Sequence, residues 1–371
     1  MARLLPDVCR IQYGYPFDSA RFTTSDGIPL IRIRDVVRGY SETYTTEECD
    51  EEYIVNDGDM LVGMDGEFNI ARWKGGKAYL NQRVCRLIPN EEIHPDYLFH
   101  FMPSALKRIE DQTPFATVKH LSAKQLNAIA IHLPSMEQQK NIANQLETVD
   151  ALISLRKQQI TKLDELVKSR FVEMFGDPKD NPNGYAKRQL KETCMVITGN
   201  TPSRAVSEYY GEHIEWIKTD NIVSGLINPT PAVESLSEKG MAVSRTVEKN
   251  SILMACIAGS ITSIGRVCVT DRKVAFNQQI NAIVPDGYNV LFLYVLLQIS
   301  KEYLVEEINM ALKGILSKSK LEEKSFIVPP MELQEQFATF VKQTDKSKLT
   351  IQHSLAKLET LKKSLMQKYF G

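Results

Sequence analysis

Hydrophobic side chains follow a heptad period along residues 135–175, which contain neither glycine nor proline. Spacings of four and three alternate along this stripe, as they do along the inner face of a coiled-coil helix. The stripe consists of Ile142, Leu146, Val149, Ile153, Ile160, Leu163, Val167 and Met174, and Arg156 and Arg170 interrupt it. Pro134 stands where a helix can begin and Gly176 where one can end. The pattern predicts one helix of about 40 residues, about 60 Å long.

The helix is repeated, because residues 134–176 align with residues 329–371 without a gap. Thirteen of the 43 aligned positions are identical, whereas ordinary residue frequencies give about two or three. The second copy carries Phe337, Val341, Ile351, Leu355, Leu358, Leu365 and Tyr369, with Thr344, Lys348 and Lys362 interrupting them. One such helix cannot bury its stripe alone, so the repeat predicts an antiparallel coiled-coil pair. The stripe could instead cover an adjoining globular domain.

The region before each helix has a mixed α/β pattern. Short apolar runs of strand composition are separated by Gly, Asn and Asp turns. The runs are PLIRI, MLVGM and RVCRLI in the first region and IEWIK, ILMACIA, GRVCVT and INAIV in the second. Apolar helices are predicted near residues 97–102 and 290–300, and DPKDNPNGYAKRQ at 177–189 is a polar linker with no counterpart at the start of the chain.

These patterns predict a fold of two α/β (α+β) globular domains separated by two long antiparallel coiled-coil helices. The upstream halves are also weakly similar, since Leu5, Cys9 and Gly14 face Leu190, Cys194 and Gly199. The chain is therefore predicted to be a pseudo-twofold internal repeat. Its predicted segments are a domain at 1–133, a helix at 134–176, a domain at 177–328 and a helix at 329–371.

Composition favours a soluble protein of the cytoplasm. The apolar content is 43%, and the longest apolar run, at 290–299, is too short to span a bilayer. The six cysteines are scattered without a CxxC pair, which favours reduced thiols and predicts no metal site.

The common catalytic motifs are missing from the sequence. It contains no GxGxxG after a strand, no GxxxxGK[ST], no HExxH and no GxSxG. We therefore expect a chain that is not an enzyme and that binds no cofactor of its own. An active site of unfamiliar pattern stays open as an alternative.

Polar residues recur at equivalent places in the two halves. Asn81 and Gln82 face Asn277 and Gln278, and amides of this kind pair bidentately with adenine. The same amides could instead hold a strand end by local hydrogen bonds. Basic and hydroxyl groups nearby suit contacts to phosphates or bases, although a lone arginine is more often a surface charge. These further candidates are Arg32, Arg34, Lys119 and His120 (in TVKHLS), Lys218, Thr219, Asn221, and Lys318 (in ILSKSKL).

The duplicated order of these motifs is specific. The PSMEQQKNIA and PPMELQEQFA helix openings, the DALISLRKQQITKLDELVKSRFVEMFGD tail and the TDNI segment are its parts. From about residue 4 to residue 371, the chain resembles the specificity subunit of a Type I restriction–modification system.

The resemblance implies the functions of these segments. The domains at 1–133 and 177–328 would be target recognition domains, each binding one part of a split double-stranded DNA site. The helices would set the spacer between the parts and dock two modification subunits, which bring S-adenosylmethionine and adenine methylation. Restriction subunits would add ATP- and Mg-dependent translocation and cleavage, and this chain would be non-catalytic.

Charge counts against strong DNA binding by the chain alone. The net charge is −1, and residues 1–133 carry −4, with 15 Lys and Arg against 19 Asp and Glu. We expect tight binding only together with the modification subunits. Two alternatives remain at this stage: a coiled-coil adaptor without a DNA role, and a specificity module of another phage-defence system.

Overall fold

The computed structural model describes residues 2–113, 119–306, 308 and 314–371. It divides into two compact units. Unit 1 is Met1–Leu155 together with Leu355–Gly371, and unit 2 is Arg156–Ser354. Each unit therefore contains one mixed region and a part of both long helices. The four segments drawn from the sequence stay a prediction, because these units cut within the helices rather than at their ends.

Strands and helices alternate through both mixed regions. The strands are β1 (Ala2–Leu4), β2 (Cys9–Tyr13), β3 (Phe22–Thr23), β4 (Ile28–Ile31), β5 (Tyr44–Thr45), β6 (Ile54–Val55), β7 (Met60–Gly63), β8 (Asn69–Arg72), β9 (Ala78–Leu80), β10 (Val84–Pro89), β11 (Ala130–His132), β12 (Lys187–Gln189), β13 (Cys194–Thr198), β14 (Tyr210–Ile217), β15 (Ser235–Leu236), β16 (Thr246–Val247), β17 (Ile252–Ala255), β18 (Ile257–Ala258), β19 (Val267–Val269), β20 (Val274–Phe276), β21 (Ile280–Pro285), β22 (Gly314–Ile315) and β23 (Ser325–Ile327). The helices are α1 (Leu5–Val8), α2 (Ile33–Arg38), α3 (Pro95–Gln112), α4 (Ala123–Asn127), α5 (Met136–Phe175), α6 (Leu190–Thr193), α7 (Glu238–Ala242), α8 (Val290–Ile299), α9 (Lys301–Val305), α10 (Lys318–Glu323) and α11 (Met331–Phe370).

The two units share a sheet topology. In unit 1 the strand orders are β2-β10-β7-β8 and β3-β5-β4-β9-β6. In unit 2 the corresponding orders are β13-β21-β17-β19 and β15-β14-β20-β16. In each unit one neighbouring pair is parallel, β4 with β9 and β14 with β20. The internal repeat predicted from the sequence is thus present in the fold as well as in the helices.

A glycine lies at the same close approach in each unit. A Cβ atom on Gly14 would stand 2.1 Å from the Asn81 carbonyl oxygen, and one on Gly199 would stand 2.2 Å from that of Asn277. These separations are far inside van der Waals contact, so only glycine fits there. The contact holds the end of β2 or β13 against the loop that follows β9 or β20.

The predicted antiparallel helix pair is confirmed. In unit 1 the Tyr369 hydroxyl donates to Gln145 Oε1 at 2.9 Å, and Lys362 Nζ lies 2.5 Å from Asp150 Oδ1. In unit 2 Lys348 forms an ion pair with Asp164, and the Phe171 and Phe337 ring centroids are 5.4 Å apart. Within each unit, later residues of α5 meet earlier residues of α11, which defines antiparallel packing.

The helix ends also belong to the cores of the units. In unit 1, Leu146 and Phe370 are buried, and the Phe370 ring packs on Tyr97 and Phe101. Arg108 Nη1 donates to the Phe370 carbonyl oxygen at 3.0 Å. In unit 2 the long helices contribute Phe171, Phe175 and Phe337 to the corresponding core. The stripes therefore serve both purposes that the sequence left open, since they pack on each other and cover the domains.

Polar interruptions of the stripes have partners. The Lys348 side chain is only 8% exposed, and its charge is paired with that of Asp164. The Thr344 hydroxyl donates to the Phe340 carbonyl oxygen at 3.0 Å. A buried charge is tolerated when it is paired in this way.

Some elements differ from the sequence prediction. The end of the predicted linker forms β12, which pairs with β23 as β1 pairs with β11, so the prediction that the linker has no counterpart at the start of the chain was wrong for residues 187–189. Helix α3 is much longer than the apolar run at 97–102 and continues through Pro103. Its continuation is stabilised because Ala105 and Leu106 are buried, which offsets the hydrogen bond that proline removes. No helix in the described part of the chain is long and apolar enough to cross a membrane.

Candidate nucleic-acid interface

The parallel strands β4 and β9 place two predicted residues side by side. Leu30 pairs with Tyr79 and Ile31 with Leu80, so Arg32 and Asn81 follow at the same edge. The carboxyl ends of parallel strands are common ligand-binding edges, because the loops that follow them converge.

This edge of unit 1 carries a concavity of about 460 Å³. Its lining includes Arg32, Arg34, Asn81, Gln82 and Arg83. All of these except Asn81 are exposed, and Asn81 is half-buried. The structure thus brings together four of the six residues predicted for this half, and it adds Arg83. The cluster is positively charged although its domain is acidic overall, so it provides the local basic face that DNA binding requires.

The asparagine of each Asn-Gln pair is used locally. Asn81 Oδ1 accepts a hydrogen bond from the Gln82 amide at 2.8 Å, and Asn277 Oδ1 accepts one from the Gln279 amide at 3.1 Å. Asn277 is also 6% exposed. The two glutamines, in contrast, are exposed. Gln82 and Gln278 are therefore the amides that this edge presents to a ligand, while the asparagines shape the loop.

Two buried side chains hold the turn after the first parallel strand. Asp35 Oδ2 accepts from the Arg32 amide at 2.9 Å, and Asn221 Oδ1 accepts from the Lys218 amide at 3.0 Å. Asn221 is 7% exposed, and its amide nitrogen donates to Pro231 O at 3.0 Å. Its side chain is thus used inside the unit and is not presented at the edge.

The same edge in unit 2 is less positive. Ile217 pairs with Phe276 in the parallel register, so Lys218 and Asn277 follow side by side. Lys218 Nζ lies 2.6 Å from Glu234 Oε1, and Arg204 Nη2 lies 2.6 Å from Glu234 Oε2. The hydrogen bonds from these two cations hold the pKa of the Glu234 carboxyl below its ordinary value. Half-buried Thr219 follows Lys218 in the same loop. Exposed Gln278 accepts from the Thr201 hydroxyl.

The remaining candidates divide into two kinds. His120 joins the edge of unit 1, since its Nδ1 lies 3.3 Å from Arg83 Nη1 and 2.5 Å from Asp65 Oδ1. Lys119 instead donates to the Glu110 carbonyl oxygen at 2.8 Å, in the last turn of α3. Lys318 begins α10 and pairs with Glu322 at 3.5 Å. Residues 117 and 118 of the TVKHLS segment lie outside the described residues.

The residues predicted for the helix pair and for partner docking face inward. Ile142, Leu146, Val149, Ile153, Ile160, Leu163, Phe337, Val341, Ile351, Leu355 and Leu358 are all buried or half-buried. Other leucines of the same helices are exposed: Leu152, Leu155 and Leu361 in unit 1, and Leu166 and Leu349 in unit 2. Leu166 and Leu361 are equivalent positions of the repeat. Exposed apolar side chains thus recur on both halves, at positions that the heptad pattern did not reveal.

Nucleophilic and metal chemistry find little support in the described residues. No group of three or more His, Cys, Asp or Glu side chains among them could hold a metal ion. Burial raises the pKa of the Cys9 and Cys85 thiols to about 12, so these groups stay protonated at neutral pH.

Comparison with known proteins agrees with this geometry. Residues 2–165 and 182–362 match the family model of the Type I restriction modification DNA specificity domain. The chain is 28% identical to the Type I restriction enzyme EcoBI specificity subunit of Escherichia coli, over 99% of this chain and 84% of that protein. It matches the S subunit of a Type I restriction–modification system from M. genitalium with a TM-score of 0.64 and 15% identity, over 100% of this chain and 96% of that one. A chain from a structural study of assembly and conformational transition in the Type I system gives a TM-score of 0.58 and 18% identity, over 100% and 97%.

The solved structures define the class, because the chain has the fold of S subunits of Type I restriction–modification systems. With both domains matched by the family model, the chain belongs to the Type I restriction modification DNA specificity family. The predicted function, DNA sequence specificity, is therefore confirmed.

Proposed function

We propose that units 1 and 2 each bind one half of a bipartite double-stranded DNA site through their parallel-strand edges. One observation carries the proposal: the same edge is built twice, from β4 and β9 and from β14 and β20, with matched but different polar residues. A shared scaffold with divergent side chains is what two readers of different base sequences need. In unit 1 the candidate contacts are Arg32, Arg34, Gln82, Arg83 and His120, and in unit 2 they are Lys218, Thr219 and Gln278.

The helix pair has two proposed roles. Both α5 and α11 contribute residues to both units, so the pair sets the number of unread base pairs between the half-sites. Its exposed leucines dock two modification subunits, one on Leu152, Leu155 and Leu361 and one on Leu166 and Leu349. Symmetry favours two partners, because Leu166 and Leu361 are the same position of the repeat.

The chain itself is proposed to be non-catalytic. S-adenosylmethionine would then be bound by the modification subunits, and ATP and Mg by restriction subunits of the full complex. The absence of the common catalytic motifs from the sequence supports this division of labour. With DNA as its ligand, the complex would act in the cytoplasm.

Sequencing of modified bases tests the proposal directly. The full-length chain is expressed with the modification subunit of its own system in cells that lack other methyltransferases. We expect two short methylated motifs at a constant gap, absent when either protein is omitted. Folded proteins that bind each other but leave the DNA unmodified would count against a bipartite specificity subunit and favour an adaptor.

Two surface variants then assign the half-sites. Gln82→Ala in unit 1 and Gln278→Ala in unit 2 remove equivalent exposed amides. Each is expected to relax base requirement in one half-site and to leave the other unchanged. If both variants altered the same half-site, the proposal that each edge binds its own half-site would be wrong.

A further inference from the structure

Arg83 is an exposed basic residue of the unit 1 edge with a carboxylate partner, Asp65. Its side chain is 52% exposed and lines the concavity. Asp65 Oδ2 lies 3.7 Å from Arg83 Nε, and the Asp65 side chain is 21% exposed. Asp65 Oδ1 in turn lies 2.5 Å from His120 Nδ1. The three side chains form one cluster beside the exposed Gln82.

The short contact to Asp65 determines which atoms of Arg83 are free to bind. An ionised carboxylate can only accept hydrogen bonds, so the contact between Asp65 Oδ1 and His120 Nδ1 assigns the proton to the ring nitrogen, which donates to Asp65. A protonated Nδ1 cannot also accept from Arg83 Nη1, although the two nitrogens are 3.3 Å apart. Asp65 therefore holds the guanidinium through its Nε side, and both terminal nitrogens keep protons for a ligand.

This arrangement suits one base in particular. Guanine presents O6 and N7 as two acceptors in the major groove, and the arginine fork donates to both at once. Holding the fork in place reduces the entropy lost on binding and fixes its direction. Arg34 is less well prepared, since its partner Asp35 is shared with Arg38 and with the Arg32 amide.

We infer that Arg83, held by Asp65, reads a guanine in the half-site bound by unit 1. The inference deepens the proposed function and rests on it. In unit 2 the residue at the equivalent position is Gln279, whose Oε1 accepts from Asn277 Nδ2 at 3.2 Å. The guanine contact therefore belongs to one half-site only.

The test uses the complex of the full chain with its modification subunit, in the same sequencing experiment. Wild type requires a guanine at one position of the unit 1 half-site, which Gln82→Ala has already assigned. Arg83→Ala accepts other bases at that position, with discrimination lowered about five-fold to 150-fold. Asp65→Asn relaxes the same position to a smaller extent, and Arg83→Lys retains part of the preference. Arg10→Ala, an exposed arginine of β2 removed from the edge, is the charge-matched control and leaves every position unchanged.

A binding measurement tests the inference for any variant whose methylation is too weak to sequence. Each guanine of the duplex is replaced in turn by 7-deazaguanine, which lacks the N7 acceptor. The wild-type complex is expected to lose affinity when one particular guanine is replaced. The Arg83→Ala complex is expected to bind the unmodified duplex and the duplex replaced at that guanine with equal affinity. The inference is overturned if Arg83→Ala keeps every guanine requirement, if the unit 1 half-site contains no guanine, or if the relaxed position lies in the other half-site. Absence of any wild-type methylation would overturn the proposed function and the inference with it.

Discussion

Gly14 and Gly199 are the residues on which the two edges depend most directly. An added methyl group would meet the backbone carbonyl of Asn81 or Asn277, and backbone atoms cannot swing aside as a side chain can. We expect Gly14→Ala and Gly199→Ala each to lower the free energy of unfolding of its own unit by about 1–3 kcal/mol. Urea denaturation of the full chain measures this loss.

Gly259→Ala is the matched control for these two substitutions. A Cβ there meets no atom within 4 Å, and the residue does not need a positive φ. Its expected effect is within about 0.5 kcal/mol. Equal destabilisation by all three variants would show that the close approach at Gly14 and Gly199 is not the cause.

Asp345 gives the stability a pH dependence. Burial raises the pKa of its carboxyl above the ordinary value, and Lys348 offsets only part of this. A raised pKa in the folded state means that its contribution is complete below the ordinary value, near 3.8, and is lost as pH rises through the folded-state pKa. Asp345→Asn should therefore match wild type near pH 4 and become the more stable protein as pH rises. Thermal unfolding from pH 4 to 8 measures the difference.

Asp150, the equivalent residue of the repeat, provides the contrast. It forms an ion pair with Lys362 at 2.5 Å, so Asp150→Asn is expected to lower stability at neutral pH. The explanation by burial fails if both asparagine variants change stability in the same direction at pH 7.

The polar residues of the site were predictable only in part. The recurrence of Asn-Gln in both halves pointed to equivalent loops of the two units, because identical residues on one scaffold occupy identical places. It did not separate the exposed glutamines from the asparagines, of which Asn81 is half-buried and Asn277 is buried. Arg83 directly follows the first pair, but its meeting with Asp65 and His120 depends on tertiary contacts 18 and 37 positions apart in the chain.

Among elements, the long helices combine two kinds of surface. Leu146 is fully buried in the core of unit 1, whereas Leu155, on the same helix, is 53% exposed. Leu146→Ala is expected to cost about 2–5 kcal/mol, through lost burial and the cavity left behind. Leu155→Ala is expected to change stability by less than about 0.5 kcal/mol. Urea denaturation measures the free energy of unfolding of both variants, which lose the same side-chain volume.

The same pair of variants tests the proposed docking surface. Leu155→Ala, alone and with Leu361→Ala, should weaken co-purification with the modification subunit while the chain remains folded. If the surface variants bind their partner as wild type does, the exposed leucines do not form the docking surface.

Element prediction succeeded where the pattern was long. A stripe of ten positions fixed both long helices to within a residue or two, and apolar runs such as INAIV marked the central strands. Strands β1 and β12 were missed because three residues are too few to show a period; their partners, β11 and β23, determine their conformation. The continuation of α3 was missed because Pro103 normally ends a helix.

For the whole molecule, the distribution of charge sets the conditions for binding. The net charge of −1 gives little long-range attraction to DNA, and the arginines of unit 1 form a local exception. We expect the purified chain alone to bind its cognate duplex more weakly than micromolar at about 150 mM salt, within the range of non-specific binding. Adding the modification subunit should bring tight binding. Fluorescence anisotropy with cognate and scrambled duplexes measures both; nanomolar binding by the chain alone would contradict the expectation.

The discontinuity of unit 1 has a consequence for how the protein is made. Its core is completed by Phe370, more than 200 positions after Leu155 in the chain. At ordinary rates of translation, the ribosome needs on the order of 10–40 s to make the intervening stretch. Throughout that time the nascent first domain lacks the Phe370 ring that packs on Tyr97 and Phe101 in the finished protein. The domain synthesised first is thus the one finished last, and its core is complete only when the final residues of the chain have been made.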